Sequence, residues 1–394
     1  MSRYRLEPTL EQAGALLRHC SDARYVWNLA VEQHAWWRRG RKSAPGYLEQ
    51  CRQLTAARAG NPWLREGSQT VQQQALRDFD QAMRNFFGGT HRRPTWRKAG
   101  RDEGFRIVAV KPGDVRRLNR NWGEVRVPKV GWVRFRWSRP VPADVKSYRV
   151  TRDPAGRWHV AFAVIPEPVP APGNGEVVGI DRGVAVSAAL STGELLKVPG
   201  LSAAEEQRLR GLQRKLARAK RGSSNRRKVK LAAAEVRSRE TDRRRDWVNQ
   251  VSTDIARRFD VIRVEDLKIT SMTRSAKGTA EQPGRNVPQK AGLNREIRKS
   301  GWGALVRRLE DKAPGRVERV PPAYTSQCCS ACGYVDAKSR ESQACFVCTA
   351  CGYACNADVN AARNIAAGHA VKARGGDRAA GPLNREPQRI PLGV

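Results

Sequence analysis

The stretch Val177-Val178-Gly179-Ile180-Asp181-Arg182-Gly183-Val184 decides the fold of this chain, because it is an apolar run that ends in an acid. Such a run predicts a buried strand. A second run of the same kind, Val261–Leu267, carries Glu265 near its end. A helical segment separates the two runs, so we expect both strands in one α/β sheet with crossover helices.

Three acids mark the expected active site. Asp181 and Glu265 end the two strands, and Asp358 opens a later helix that could pack on the sheet. Strand ends of such a sheet meet at the edge where ligands bind. Three carboxylates without a nearby histidine favour Mg²⁺ or Mn²⁺, and two such ions could drive phosphodiester cleavage. Each acid alone could instead form a local cap or salt bridge, and Asp266 should point to the opposite side of its strand.

Two Cys-x2-Cys pairs near the C-terminus predict a tetrahedral zinc site. A glycine follows the second cysteine of each pair, which allows a tight turn that points backbone amides at the sulfurs. Cys328 and Cys345 offer alternative ligands in a shifted register. The expected ligands are Cys329, Cys332, Cys348 and Cys351.

The composition points to a polyanionic partner. The 394 residues include 74 basic and 38 acidic ones, a net charge of +36. A duplex of about 20 base pairs carries roughly 40 phosphates, which would match this excess. The plain alternative is a ribosomal-type basic protein or a solubilising surface. No apolar run of about 18 residues and no signal segment is present, so we expect no membrane partner and a cytoplasmic protein.

The N-terminal part alternates between two periodicities. Residues 3–7 predict a strand, and helical spacing follows over about 9–37 and 68–87. Between 105 and 165 the period changes to two, which predicts a small β-barrel with helices inserted after its first strand. On the second helix, Gln73 and Arg77 are candidates for contact with nucleic acid, although a solvated face is the plain alternative.

A basic helical hairpin is predicted over residues 201–259, with a break at 222–225. Residues 208–245 contain sixteen Lys or Arg and three acids. This excess is too large for ion pairs within the helices and favours phosphate binding. A helix 295–312, a strand 317–320 and, beyond 371, a disordered tail are expected next. The hairpin candidates for nucleic-acid contact are Arg214, Lys215, Arg218, Arg226, Arg227 and Lys228.

Four stretches resemble motifs of TnpB, the RNA-guided nuclease family of small insertion sequences and the ancestor of type V CRISPR effectors. Three resemble its RuvC motifs, and the fourth resembles the start of its zinc ribbon. They are Val178-Gly179-Ile180-Asp181-x-Gly183-Val184, Val264-Glu265-Asp266-Leu267, Ala357-Asp358-x-Asn360-Ala361-Ala362-x-Asn364-Ile365 and Thr325-Ser326-Gln327-x-Cys329-Ser330-x-Cys332-Gly333.

The resemblance implies an α/β multidomain fold. A wedge β-barrel with an inserted helical recognition lobe would precede a RuvC domain with an RNase H-like core and an inserted zinc ribbon. The implied boundaries are 1–8 and 100–170 for the wedge barrel, 9–99 for the recognition lobe, 171–322 for RuvC, 323–355 for the ribbon, 356–370 for the C-terminal RuvC helix and 371–394 for the disordered tail.

The resemblance also implies the activity. Asp181, Glu265 and Asp358 would bind the catalytic Mg²⁺ or Mn²⁺, and the four cysteines would hold Zn²⁺. The partners would be a guide RNA made from the transposon end and a double-stranded target DNA, cleaved next to a short adjacent motif. A compact type V CRISPR effector, a nuclease-inactive RNA-guided repressor and a transposase are the alternatives, and a monomer and a dimer both stay open.

Overall fold

The computed structural model describes residues 2–36, 44–101, 103–164 and 167–368 in two compact units. The predicted tail 371–394 and the last two residues of the predicted helix 356–370 lie outside the described residues. Within these ranges, no helix has the length and apolar character needed to cross a bilayer. The first unit comprises the described parts of Met1–Pro166 and Leu201–Thr241, and the second comprises the described parts of Glu167–Gly200 and Asp242–Val394.

In the described parts of the first unit, four helices lie between the first and second strands. Thr9 begins the longest with a capping box, because its hydroxyl accepts a hydrogen bond from the Gln12 backbone amide and its own backbone amide donates one to Gln12 Oε1. The helices Tyr47–Gly60 and Pro62–Glu66 have too little apolar periodicity to be predicted from the sequence. These elements are β1 (Ser2–Leu6), α1 (Leu10–Ala35), α2 (Tyr47–Gly60), α3 (Pro62–Glu66) and α4 (Gln69–Phe87).

Seven antiparallel strands form the sheet of this unit, in the order β2-β6-β7-β1-β5-β4-β3. Strand β1 lies inside the sheet, where Tyr4 packs against Phe135 and Phe162. Among the described residues no ladder joins β2 to β3, so the sheet is open and the predicted closed barrel is not seen. The remaining strands are β2 (Gly104–Val108), β3 (Val115–Arg117), β4 (Trp122–Val127), β5 (Gly131–Arg136), β6 (Ser147–Arg152) and β7 (Trp158–Phe162).

The predicted helical hairpin consists of α5 (Ala203–Arg218) and α6 (Ser224–Arg258). Ser202 caps α5 through a capping box with Glu205. No residue of α5 is buried, whereas α6 buries Ala233 and Val236 in its first half. The hairpin therefore exposes most of its basic side chains.

A mixed five-stranded sheet forms the core of the second unit, in the order β10-β9-β8-β11-β12. The last three of these strands are parallel. The predicted single helix 295–312 is two helices, because Gly301 adopts a left-handed conformation (φ 76°) between them. The elements are β8 (Val177–Asp181), β9 (Ala188–Leu190), β10 (Leu195–Leu196), β11 (Val261–Glu265), α7 (Ile269–Met272), α8 (Val287–Lys299), α9 (Trp302–Lys312) and β12 (Val317–Val320).

The C-terminal part of the second unit is a small cysteine-rich segment that leads directly into a helix. It contains the antiparallel strands β13 (Cys345–Val347) and β14 (Ala354–Asn356), followed by α10 (Ala357–Ala367). Asn356 caps this helix by accepting hydrogen bonds from the amides of Asp358 and Val359. Asp358 therefore lies in the first turn of α10.

Candidate active site and metal centre

Gly179 lets helix α10 lie directly on strand β8. A Cβ at this position would overlap the carbonyl oxygen of Ala362 and would stand 3.0 Å from the Cα of Ala366. Asp358 lies one turn before Ala362, about 6 Å along the helix axis, and Asp181 lies two residues after Gly179, about 6.6 Å along the strand. The close contact therefore brings these two acids to the same end of the helix–strand pair.

The neighbouring glycine, Gly183, lies against Asp358. A Cβ on Gly183 would stand 3.9 Å from Asp358 Oδ2, so this carboxylate faces the turn that follows Asp181. Glu265 ends β11, which pairs in parallel with β8 through Val264 and Ile180. The structure thus brings all three predicted acids to one edge of the sheet.

The three acids share one electrostatic environment. Burial raises the pKa of Asp181 to about 7, and the charges of Glu265 and Asp358 contribute to this rise. Burial also raises the pKa of Asp358, while Arg340 opposes that shift. The ionised form of Asp181 is therefore disfavoured beside the two other carboxylates, and a divalent cation bound by oxygen ligands would offset this repulsion.

The acids are spaced more widely than the ligands of a single closed metal site. In the part of the chain that the structure describes, only the four cysteines form a group of at least three His, Cys, Asp or Glu residues with all ligand atoms within 4.8 Å of one another. Both other acids nevertheless raise the pKa of Asp181. The donor set contains only carboxylate oxygens, which is the ligand type that Mg²⁺ and Mn²⁺ prefer.

Three side chains that sequence reasoning missed restrain these acids. Arg340 donates to Asp358 Oδ1 at 3.2 Å, and both side chains are largely buried. The Thr325 hydroxyl donates to Glu265 Oε1 at 2.7 Å. The buried Arg182 guanidinium donates to the Glu265 carbonyl oxygen. Thr325 and Arg182 lay in stretches already singled out, at the start of the predicted ribbon and directly after Asp181, but neither was assigned a role, and no sequence signal marked Arg340.

Asp266, the residue after Glu265, pairs with two basic side chains. Its side chain pairs with Lys268 at 2.5 Å and with Arg319 at 3.2 Å. These hydrogen bonds lower the pKa of the Asp266 carboxyl. Asp266 therefore serves as an internal comparison for the acids of the site.

We expect Gly179→Ala to destabilise the second unit by about 3 kcal/mol, because the added methyl group must displace the backbone of α10. Thermal unfolding of the zinc-loaded chain measures this loss. The matched control is Gly292→Ala in α8, where a Cβ meets no atom within 4 Å. That change should stabilise the chain by about 0.5–1 kcal/mol. If Gly179→Ala and the unmodified chain had the same unfolding temperature, the close helix–strand contact would be contradicted.

The four predicted cysteine ligands converge in the second unit. Cys329 Sγ lies 3.8 Å from Cys351 Sγ, and Cys332 Sγ lies 3.6 Å from Cys348 Sγ. A tetrahedral zinc ion with Zn–S bonds of about 2.3 Å requires sulfurs about 3.8 Å apart. The cluster therefore has the ligands and the approximate spacing of a tetrahedral zinc site.

Each cysteine pair is held by the same backbone turn. The Gly333 amide donates to the Cys329 carbonyl oxygen at 2.9 Å, and the Cys329 backbone amide donates to the Tyr334 carbonyl oxygen at 2.8 Å. Gly333 has a φ of 77°, which explains why glycine follows the second cysteine. The other turn repeats these bonds at Cys348, Gly352 and Tyr353, with Gly352 at a φ of 73°.

The alternative cysteines lie outside the cluster. Cys328 is buried and directs its sulfur to the carbonyl oxygens of Cys329 and Gly333. Cys345 is exposed, with Sγ 3.5 Å from Glu341 Oε2. The observed geometry favours the unshifted register of ligands.

The candidate nucleic-acid residues on α4 differ in exposure. Gln73 is half-buried, and Arg77 is exposed with its guanidinium 5.6 Å from the centre of the Tyr47 ring. Arg77 also lines a cavity of about 510 Å³ in the first unit, together with Arg106 and Arg149. Arg77 is thus the better placed of the two to meet a phosphate.

One of the hairpin candidates has a structural role. The Arg226 guanidinium donates to the carbonyl oxygens of Leu216 and Ala219 at the C-terminal end of α5, so it joins the two helices. The other candidates are exposed along the hairpin: Arg214, Lys215, Arg218, Arg227 and Lys228.

Three family patterns match successive parts of the chain. The family described as "Probable transposase" (OrfB_IS605) matches residues 159–276. A "Helix-turn-helix domain" of the same group matches residues 2–42, and a "Cas12f1-like, TNB domain" matches residues 302–365. The last match includes the cysteine cluster and Asp358.

Two relatives match the chain over nearly its whole length. It is 36% identical to the putative RNA-guided DNA endonuclease InsQ of Escherichia coli K12, over 98% of this chain and 97% of that protein. It is 32% identical to a putative RNA-guided DNA endonuclease of Streptomyces pristinaespiralis, over 100% and 97%.

Among solved structures, the Cas12f1 chain in a cryo-EM complex with guide RNA and target DNA is similar in fold. The similarity has a TM-score of 0.56 and covers 91% of this chain and 83% of that chain, at 14% identity. At this identity the likeness concerns the fold alone.

Proposed function

Because the chain belongs to the TnpB family of IS605-type transposon proteins, we propose that it is an RNA-guided DNA endonuclease that cleaves target DNA next to a short adjacent motif. One observation carries the proposal. The contact of α10 with β8 at Gly179 brings Asp181 and Asp358 to the strand end beside Glu265. An edge with three buried or half-buried carboxylates suits divalent-metal hydrolysis of a phosphodiester.

We assign roles to the parts of the chain accordingly. The open sheet of the first unit would be the wedge (1–8 and 100–170), and its inserted helices would be the recognition lobe (9–99). The mixed sheet of the second unit supports the assignment of 171–322 to a RuvC domain with an RNase H-like core. Residues 323–355 would form the zinc ribbon, and residues 356–370 would form the C-terminal RuvC helix.

The acids would perform the chemistry together with bound cations. Mg²⁺ or Mn²⁺ held by Asp181, Glu265 and Asp358 would activate a water and stabilise the leaving oxygen. The burial of Asp181 keeps bulk water from screening its charge. Arg340 offsets the charge of Asp358 and so limits the repulsion among the acids. A single acid set implies that the two target strands are cut one after the other.

The basic hairpin would hold nucleic acid through its phosphates. Its exposed arginines and lysines suit the backbone of a guide–target heteroduplex, in which base pairing supplies the sequence specificity. Arg77 and Gln73 would contact nucleic acid from α4. The guide would come from the transposon end, and the protein would act on DNA in the nucleoid.

The presence of all three acids argues against a nuclease-inactive binder. The direct test is to purify the chain with co-expressed transposon-end RNA and to add a matching duplex whose flank is randomised. We expect cleavage that requires Mg²⁺ or Mn²⁺, a matching guide and a defined flanking motif, detected by sequencing of the product ends. Guided binding without cuts would instead support a repressor, and joined strands would support a transposase.

A further inference from the structure

We propose that Thr325 is a positioning residue of the acid site, which fixes the carboxylate of Glu265 through its hydroxyl group. The proposal rests on the nuclease function proposed above. Thr325 is 2% exposed, and its Oγ1 lies 2.7 Å from Glu265 Oε1. A hydroxyl at this distance from a carboxylate forms a short, charge-assisted hydrogen bond.

The hydroxyl can orient Glu265 because Thr325 itself is held. The side-chain amide of Asn364 donates to the Thr325 carbonyl oxygen at 2.9 Å and to the Cys328 carbonyl oxygen at 2.7 Å. Asn364 lies on α10, the helix whose first turn carries Asp358. One loop therefore ties the end of β11 to the helix that carries another acid of the site.

A second asparagine of α10 strengthens this link. The fully buried Asn360 donates to the Cys328 carbonyl oxygen at 2.6 Å and accepts from the Ser330 amide at 2.9 Å. Asn360 and Asn364 are four residues apart and therefore share one face of the helix. They bind the segment that contains Cys329, so the zinc ligands and Thr325 belong to one hydrogen-bonded unit.

The consequence concerns the metal affinity of the acid site. A glutamate side chain has three rotatable bonds, and a ligand held in one rotamer binds a cation more tightly than a free one. Partners that orient metal ligands typically change metal affinity or activity by about 10–100-fold when they are removed. The Arg182 guanidinium donates to the carbonyl oxygen of Glu265 and so holds its main chain, whereas the Thr325 hydroxyl holds its carboxylate.

The decisive pair of variants is Thr325→Val and Thr325→Ser. Valine keeps the shape and removes the hydroxyl, whereas serine keeps the hydroxyl and removes the methyl group. Mn²⁺ binding is measured on the zinc-loaded full chain without RNA, by the loss of the EPR signal of free Mn²⁺. The binding that is lost in Glu265→Gln defines the part that belongs to the acid site. We expect Thr325→Val to weaken that part by about tenfold or more and Thr325→Ser to restore it.

The guided reaction provides the second measurement. Thr325→Val should raise the Mg²⁺ concentration for half-maximal cleavage by a similar factor, with unchanged guide and target binding and unchanged zinc content. Thr55→Val is the control, because that exposed threonine donates only to its own helix. Unchanged Mn²⁺ affinity in Thr325→Val would overturn the proposal. An equal loss of Mn²⁺ affinity in Thr325→Ser and Thr325→Val would also overturn it, because the effect would then come from packing.

The outcomes separate this proposal from the proposed function. If Glu265→Gln abolishes cleavage and Thr325→Val behaves as the unmodified chain, the nuclease assignment stands and the positioning role of Thr325 fails. If Glu265→Gln cleaves at the normal rate, the acid site itself is wrongly assigned.

Discussion

Replacing Asp181 by asparagine should reduce guided DNA cleavage by at least about 10³-fold, which corresponds to a loss of about 4 kcal/mol of transition-state stabilisation. Asparagine preserves the shape of the side chain but removes the carboxyl group, whose pKa both other acids raise. Guide RNA and target binding should remain, because the basic residues assigned to them lie elsewhere in the chain. Cleavage of a labelled duplex and a gel-shift titration at matched concentrations measure the two effects.

The same substitution should stabilise the metal-free chain. Burial and the two neighbouring charges raise the pKa of Asp181 from its ordinary value of 3.8 to about 7. The folded state therefore loses stability as the pH rises from about 4 to about 7, and the loss is complete above that range. In EDTA at pH 8, Asp181→Asn should therefore raise the unfolding temperature by about 2 °C or more. The difference should shrink at pH 5, where Asp181 of the unmodified chain is protonated.

The control for both measurements is Asp266→Asn. Asp266 pairs with Lys268 and Arg319 at the surface, so its loss should change cleavage only a few-fold. Undiminished cleavage by Asp181→Asn, or equal loss in the two variants, would remove Asp181 from the active site.

Local patterns were sufficient to predict the elements that carry the site. Strands β8 and β11 follow from their apolar runs, because a strand buried on both faces needs no polar alternation. The two zinc turns follow from glycine after each second cysteine, since only a residue that tolerates positive φ closes them without strain. The roles of the three acids remain predictions, although the structure brings the acids to one edge.

Features that depend on distant partners could not be predicted in this way. The hydrogen bond from Thr325 to Glu265 spans 60 residues, and the ion pair from Arg340 to Asp358 depends on the folded cysteine loops. Arg226 has the composition of a phosphate ligand but joins the ends of two helices. Periodicity describes one element at a time and carries no information on such contacts.

The elements that sequence reasoning missed have weak local signals. Helix α2 buries only Gln50 and Leu54, so its pattern does not differ from that of a polar loop. The break at Gly301 is a single left-handed residue within an otherwise helical sequence. Whether the first sheet closes depends on pairing between its edge strands, which alternation along one strand does not determine.

Removal of zinc should also cause a large loss of guided cleavage. The cysteine-rich segment buries only Cys329, Phe346, Cys348 and Ala357 in its core, too little apolar surface to hold a fold without a metal. Structural zinc supplies about 10 kcal/mol or more to such a segment. Thr325 and Arg340, which contact two of the acids, lie within it. Cys348→Ser should therefore release zinc and reduce cleavage by at least about 10²-fold.

Metal analysis of the purified protein and guided cleavage measure these effects side by side. Cys348 is the sharpest choice, because the amides of Cys351 and Ala350 outweigh the effect of burial and lower its pKa to about 7, which favours the thiolate that binds zinc. Cys345→Ser is the matched control, since this exposed cysteine lies outside the cluster and should leave one zinc per chain. The reverse result, with zinc lost from Cys345→Ser and kept in Cys348→Ser, would establish the shifted register of ligands. Cleavage that persists after complete loss of zinc would separate the metal centre from the acid site, because the loop that holds Glu265 would then keep its place without the ion.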